Sequence, residues 1–88
     1  MLKITKIDTE REQRLILEGR LTLPWIAELG SHWKETRQAR PGRKFVVDVR
    51  GVLRIDSAGE RALALMKIEG ATFLASGVRM KHLIEDLR

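Results

Sequence analysis

In the run Ile55-Asp56-Ser57-Ala58-Gly59-Glu60-Arg61 a carboxylate, a hydroxyl and a glycine stand together just before a helical pattern. Ser57 followed three residues later by Glu60 has the spacing of a capping box. In that device the serine oxygen accepts an N–H of the first turn and the glutamate bonds back. The same spacing sets a hydroxyl at a helix N-terminus, where unpaired N–H groups and the positive end of the helix dipole stabilise an added phosphate. Arg54 and Arg61 flank the serine and can pair with such a group. A phosphoserine would lose the capping geometry and bring about two negative charges next to Asp56 and Glu60. A binding surface made of Asp56, Ala58, Gly59, Glu60 and Arg61 would then change sign. A purely structural cap and a regulatory phosphoacceptor are both compatible with these residues.

Other chemistries have weaker footing. His32 and His82 lie in different predicted helices, and neither has a partner at a compact metal-ligand spacing such as H-E-x-x-H. A serine nucleophile needs a base within hydrogen-bond reach and an oxyanion hole, and the sequence around Ser57 identifies neither. The chain has no cysteine, which removes disulfides, thiolate metal sites and a cysteine nucleophile together. Neither glycine-rich phosphate-loop pattern occurs. Glu85 and Asp86 are adjacent on a predicted helix, so they point to different faces and do not form an acid–base pair; with Asp48 they are expected to be solvated or paired with Lys and Arg. A non-catalytic protein without metal or cofactor is the expectation.

Eighty-eight residues, 43% hydrophobic and 33% charged, suit one domain over 1–88 with a single core. Met1 to Asp8 alternates charged and apolar residues and is read as structure, not as a leader. The uncharged stretch Ala62 to Met66 falls far short of the ~20 apolar residues that cross a bilayer, so a soluble, cytoplasmic protein without a membrane span is expected. The formal net charge of +5 raises nucleic acid or an anionic surface as a partner. Basic residues are nevertheless interrupted by acids throughout, with only Arg37 to Lys44 locally rich in them, and no nucleic-acid motif accompanies the charge.

The elements that must position Ser57 follow from hydrophobic periodicity. Leu2 and Ile4, then Leu15, Leu17 and Leu21 after a polar turn at Asp8 to Glu12, predict a β-hairpin, with Gly19 marking a bulge or a close backbone approach. Thr22 is the predicted cap of a helix with Pro24 in its first turn; Trp25, Ile26, Leu29 and Trp33 form its buried face, and Pro41-Gly42 ends it. Phe45 to Val49 reads as a central strand. A second helix over Ser57 to Glu69 is expected to turn Ala62, Leu65 and Met66 inward with Leu63 at the margin, and Gly70 stops it. Thr72 to Ala75 is a short strand, and Met80, Leu83, Ile84 and Leu87 mark the buried stripe of a last helix. The order is β-β-α-β-α-β-α, in which strands separated by helices are parallel.

Three pieces in this order, Leu17-Glu18-Gly19-Arg20-Leu21, Asp48-Val49-Arg50-Gly51-Val52 and Ile55-Asp56-Ser57-Ala58-Gly59, resemble the STAS (sulfate transporter and anti-sigma factor antagonist) family. The resemblance runs from about Leu15 to Leu87, with its specificity concentrated in Asp56-Ser57-x-Gly59. It implies an α/β superhelix of β-α units, with helices on one face of a mixed sheet. It further implies that Ser57 is phosphorylated by a partner kinase that is also an anti-sigma factor, and that only the unphosphorylated form binds this kinase and frees the sigma factor. Glu60 and Arg61 stand where many antagonists carry a hydrophobic and then a small residue that dock on the partner. The competing readings are a basic nucleic-acid or anionic-surface binding domain and a STAS-fold protein with another protein partner.

Overall fold

The computed structural model of the chain describes residues 1–39 and 42–87. Strand β1 (Leu2–Asp8) and strand β2 (Glu12–Leu21) form the expected antiparallel hairpin. Thr9 closes its turn: the hydroxyl donates to the Glu12 carbonyl and accepts from the Glu12 N–H, both at 3.1 Å. Helix α1 (Ile26–Ala39), strand β3 (Lys44–Ile55), helix α2 (Ser57–Ile68), strand β4 (Ala71–Leu74) and helix α3 (Val78–Asp86) follow. The sheet has the order β1-β2-β3-β4, with β2, β3 and β4 parallel to one another. This is the mixed sheet that the alternation of apolar patterns predicts.

The core lies on one face of that sheet. Leu15, Leu17 and Leu21 of β2 and Val47 and Val49 of β3 are buried against Leu29 and Trp33 of α1 and Leu63 and Met66 of α2. Period-two burial along the strands and a three-to-four spacing along the helices follow from the geometry of each element. Met80, Leu83, Ile84 and Leu87 pack against the same cluster but stay half-buried, so α3 covers the margin of the core. Lys67 fastens it there, donating from Nζ to the carbonyls of Ile84 at 2.8 Å and Leu87 at 3.3 Å. On the other side, α1 is joined to the end of α2 through Glu69, which accepts from Trp33 Nε1 at 2.9 Å and from Arg37 at 2.6 Å.

Several boundaries differ from the sequence expectation, each for a local reason. Thr22 to Trp25 form a turn closed by the Trp25 N–H on the Thr22 carbonyl, so α1 begins at Ile26 and Thr22 does not cap it. The Leu23–Pro24 peptide in that turn is cis. Pro41, expected to end α1, lies outside the described residues. β3 runs on to Ile55 because it keeps pairing with β2 as far as Leu21, through two register shifts. Gly19, at one of them, has φ of 100°, and its α-carbon faces the Met1 carbonyl at a distance that leaves no space for a side chain. Asp48 is buried and held by Arg50, whose Nε and Nη2 donate to its two oxygens at 3.0 and 2.8 Å.

The inward face of α2 is also rotated from the expected one. Gly59, Leu63 and Met66 face the core, and Leu65, expected to point inward, is 55% exposed. The helix is seated through Gly59, and residues at i+4 and i+7 from it share its face. Leu63→Ala is therefore expected to cost about 2–5 kcal/mol, as for other fully buried leucines. Leu65→Ala should stay within about 0.5 kcal/mol, as at exposed sites. Denaturant unfolding of the two variants checks this, and equal losses would contradict the placement of the helix.

Candidate regulatory and partner-binding site

Strand β3 delivers the chain to α2 through a single residue, Asp56. Its backbone is extended, with φ of −106° and ψ of −178°, and its carboxylate Oδ1 accepts the Gly59 N–H at 2.8 Å. Asp56 is thus the N-cap of α2. The sequence expectation placed that cap on Ser57 with Glu60 in reciprocal contact, and the structure moves it one residue earlier. Aspartate caps as well as serine does, and here it already has the extended backbone that the cap position requires. Glu60 contributes only a backbone N–H, which donates to the Asp56 carbonyl at 2.9 Å within the first turn.

The second carboxylate oxygen of Asp56 reaches outside the helix. Oδ2 accepts the N–H of Leu23 at 3.1 Å, in the turn between β2 and α1. One carboxylate thereby holds the start of α2 and the β2–α1 turn together. Hydrogen bonds from Gly59 and then Leu23 hold its carboxyl below the ordinary aspartate range. Gly59 explains the closeness of the fit: a Cβ there would run into the Leu21 carbonyl and lie 2.8 Å from Ile55 Cγ1. The Asp56 N–H also donates to the Leu21 carbonyl, at 3.4 Å.

With the cap supplied by Asp56, Ser57 is the first residue of α2 and its side chain is exposed. Ala58 is half-buried, Gly59 buried, and Glu60 and Arg61 exposed. The residues around Ser57 divide between two concave surfaces. Asp56 and Glu60 line a broad open cleft between the end of β3 and α3, together with Arg54, Leu53, Val78 and Arg79. Ala58 and Arg61 line a narrower apolar furrow between α1 and α2. Sequence reasoning missed both hollows, since a groove between helices depends on side chains brought together from separate elements.

Among the described residues no three His, Asp or Glu side chains are grouped as a metal site. His32 lies beside Glu28, 4.0 Å away on the same helix, and His82 is exposed on α3. Among the described residues no helix is long and apolar enough to cross a membrane.

The carboxylates of Asp56 and Asp48 set an expected pH dependence. Arg50 side-chain hydrogen bonds hold the Asp48 carboxyl low, as the Gly59 and Leu23 N–H groups hold that of Asp56. The unfolded chain, with ordinary aspartates near about 3.9, binds more protons than the folded one in the window below that value. Both contributions are complete above pH ~4 and are lost as pH falls through the lowered folded values. Urea unfolding from pH 7 to 2 should show this loss. In Asp56→Asn it should be shallower from a lower starting stability, because an amide offers one acceptor oxygen where two N–H groups point. An unchanged acid profile in Asp56→Asn would show that the carboxylate is not the clamp.

No protein-family model matches the chain, and no curated protein matches it. Among solved structures it is similar to an antisigma-factor antagonist STAS domain from Rhodobacter sphaeroides. The two align with a TM-score of 0.62 over 89% of this chain and 88% of that one, at 20% sequence identity. What the two share is the course of the backbone. The fold of this chain is accordingly a STAS-like α/β fold.

Proposed function

We propose that the protein is a non-catalytic regulatory binding module of the anti-sigma factor antagonist kind, switched by phosphorylation of Ser57. The observation that carries this reading is the division of labour at the start of α2. Asp56 makes the cap, and Ser57 stands exposed one residue later with its side chain free of that duty. A kinase can transfer the γ-phosphoryl group of ATP to the Ser57 oxygen, with ADP leaving and the hydroxyl proton going to the kinase base or water, while the cap persists. The dianion formed is stabilised by the helix N-terminus and by Arg54 and Arg61, and it opposes the neighbouring Asp56 and Glu60.

The partner in this reading is a protein, namely a kinase that is also an anti-sigma factor, met in the cytoplasm. Asp56, Ala58, Glu60 and Arg61 contribute to the contact directly, and the buried Gly59 sets their position. The likeness to an antisigma-factor antagonist STAS domain supports the class of role, and the Asp56-Ser57-x-Gly59 motif supports the residue.

The test separates stability from binding. Ser57→Asp is expected to leave the melting temperature nearly unchanged, since an acidic residue in the first turn suits the dipole. It should weaken partner binding by well over about 1 kcal/mol, through like charge and desolvation at a close interface. Ser57→Ala should keep binding and take up no phosphate from native lysate supplied with ATP. Equal partner recovery by wild type and Ser57→Asp would remove the switch. Phosphate incorporated at another residue, with Ser57 unmodified, would do the same.

A further inference from the structure

The furrow between α1 and α2 is apolar within and basic along its rim. It encloses about 350 Å³; Trp33 and Met66 are its buried floor, and Gly30, Ala58 and Ala62 leave it open. Leu65 on its edge is 55% exposed and Ile68, three residues further along α2, is 72% exposed. The apolar strip therefore continues out of the furrow along one side of the helix. Gly30 is in the interior of α1, has no positive φ, and a Cβ there would meet nothing within 4 Å. Nothing among the described residues asks for glycine at that place, although glycine is a poor helix former. Its missing side chain leaves room for an approach from outside.

Charge is sorted between the flanks of both helices. Arg61 lines the furrow and Arg37 reaches across to Glu69, while Lys34, exposed on α1, is four residues after Gly30 and so on the same side of the helix by its spacing. Arg61 and Lys34 form no ion pair among the described residues. Glu69, the acid at this rim, is held by Trp33 and Arg37 together. The acids of α1, Glu28 and Glu35, lie on its opposite flank against His32 and Lys6. Glu60 of α2 borders the separate cleft beside α3.

We propose that this furrow receives an amphipathic helix of a partner protein, apolar along its inserted face and acidic along its flanks. A slot between two helices accepts the ridge of a third, and a helix laid in a groove presents anchors at i, i+3 or i+4 and i+7. A lipid surface could meet the protruding Leu65 and Ile68 but offers no ridge to enter the recess over Trp33 and Met66. A second copy across a two-fold axis would set this basic rim against itself, because such a contact uses the same patch on both subunits. The inference rests on the protein-binding reading above and names the chemistry of the partner. It also gives the switch a route: Ser57 is four residues before Arg61 and on the same side of α2. A phosphate on it competes for Arg61 and repels an acidic helix.

The test is a displayed library of helix-forming peptides, panned on the intact unmodified protein and assayed against Gly30→Leu, Arg61→Glu and Ser57→Asp. Leucine at position 30 fills the furrow from an open Cβ position and improves the helix, so this variant is expected to fold. Selected peptides should carry apolar residues at i, i+4 and i+7 with acidic flanks. They should lose about tenfold or more in affinity for Gly30→Leu and Arg61→Glu, the scale of a blocked or charge-reversed contact. Winners that are not acidic, or that bind Gly30→Leu as tightly as wild type, overturn the proposal. Sedimentation with phosphatidylglycerol vesicles that Arg61→Glu abolishes would make this a lipid-facing surface, and a dimer dispersed by Gly30→Leu would make it a self-interface; either also overturns it. Peptide binding lost in Gly30→Leu but kept in Ser57→Asp retains the furrow and removes the switch. Native partner binding lost in Ser57→Asp but kept in Gly30→Leu retains the switch and removes the furrow.

Discussion

The seating of α2 on the end of β2 is the constraint from which the rest of the site follows. Gly59 lets the helix come so close to Leu21 that no side chain fits between them, and Asp56 fixes it there by gripping one N–H of the helix and one of the β2–α1 turn. Once Gly59 faces the strand, Leu63 and Met66 must face the core and Leu65 must face out. The same rotation brings Ala58, Arg61 and Ala62 alongside α1 and leaves Ser57 outside the cap. A contact shorter than a side chain thus decides which residues are core, which line the furrow and which one is open to modification.

The surface charge has a related logic. A net charge of +5 on 88 residues suggests an anion-binding surface, yet Lys6, Arg14, Arg37, Arg43 and Arg50 are each set against a carboxylate. The exposed ones among them, such as Lys6–Glu35, contribute little to stability. Their effect is to break up the positive potential, which leaves the local arrangement beside α2 to determine what can approach. Lys34 and Arg61 then matter more than the total charge.

Much of the fold was legible because it is written in apolar spacing. The hairpin, the central strand and the parallel sense of the strands separated by helices follow from Leu2 to Leu21, Phe45 to Val49 and the helical patterns between them. The site was legible as a motif but not as a geometry. Asp56 and Ser57 are both good caps, and only the extended backbone at Asp56 and the close approach at Gly59 decide between them. Likewise Leu63 and Leu65 are two residues apart in a run that is apolar on several sides, so periodicity alone places either one inward. The furrow was not legible at all, since its outline is formed by α1 and α2 together and by the side chain that Gly30 lacks.

The claim on which the functional reading depends is that modification of Ser57 leaves the Asp56 clamp in place. Amide hydrogen exchange at Gly59 and Leu23, followed by NMR in the unmodified protein and in protein carrying phosphoserine at position 57, measures it directly. Protection at both amides that is the same in the two forms is the expected result. Protection at Gly59 that collapses on phosphorylation would show that Ser57 shares in the cap, and that the switch acts by unravelling the helix instead of by recharging an intact surface.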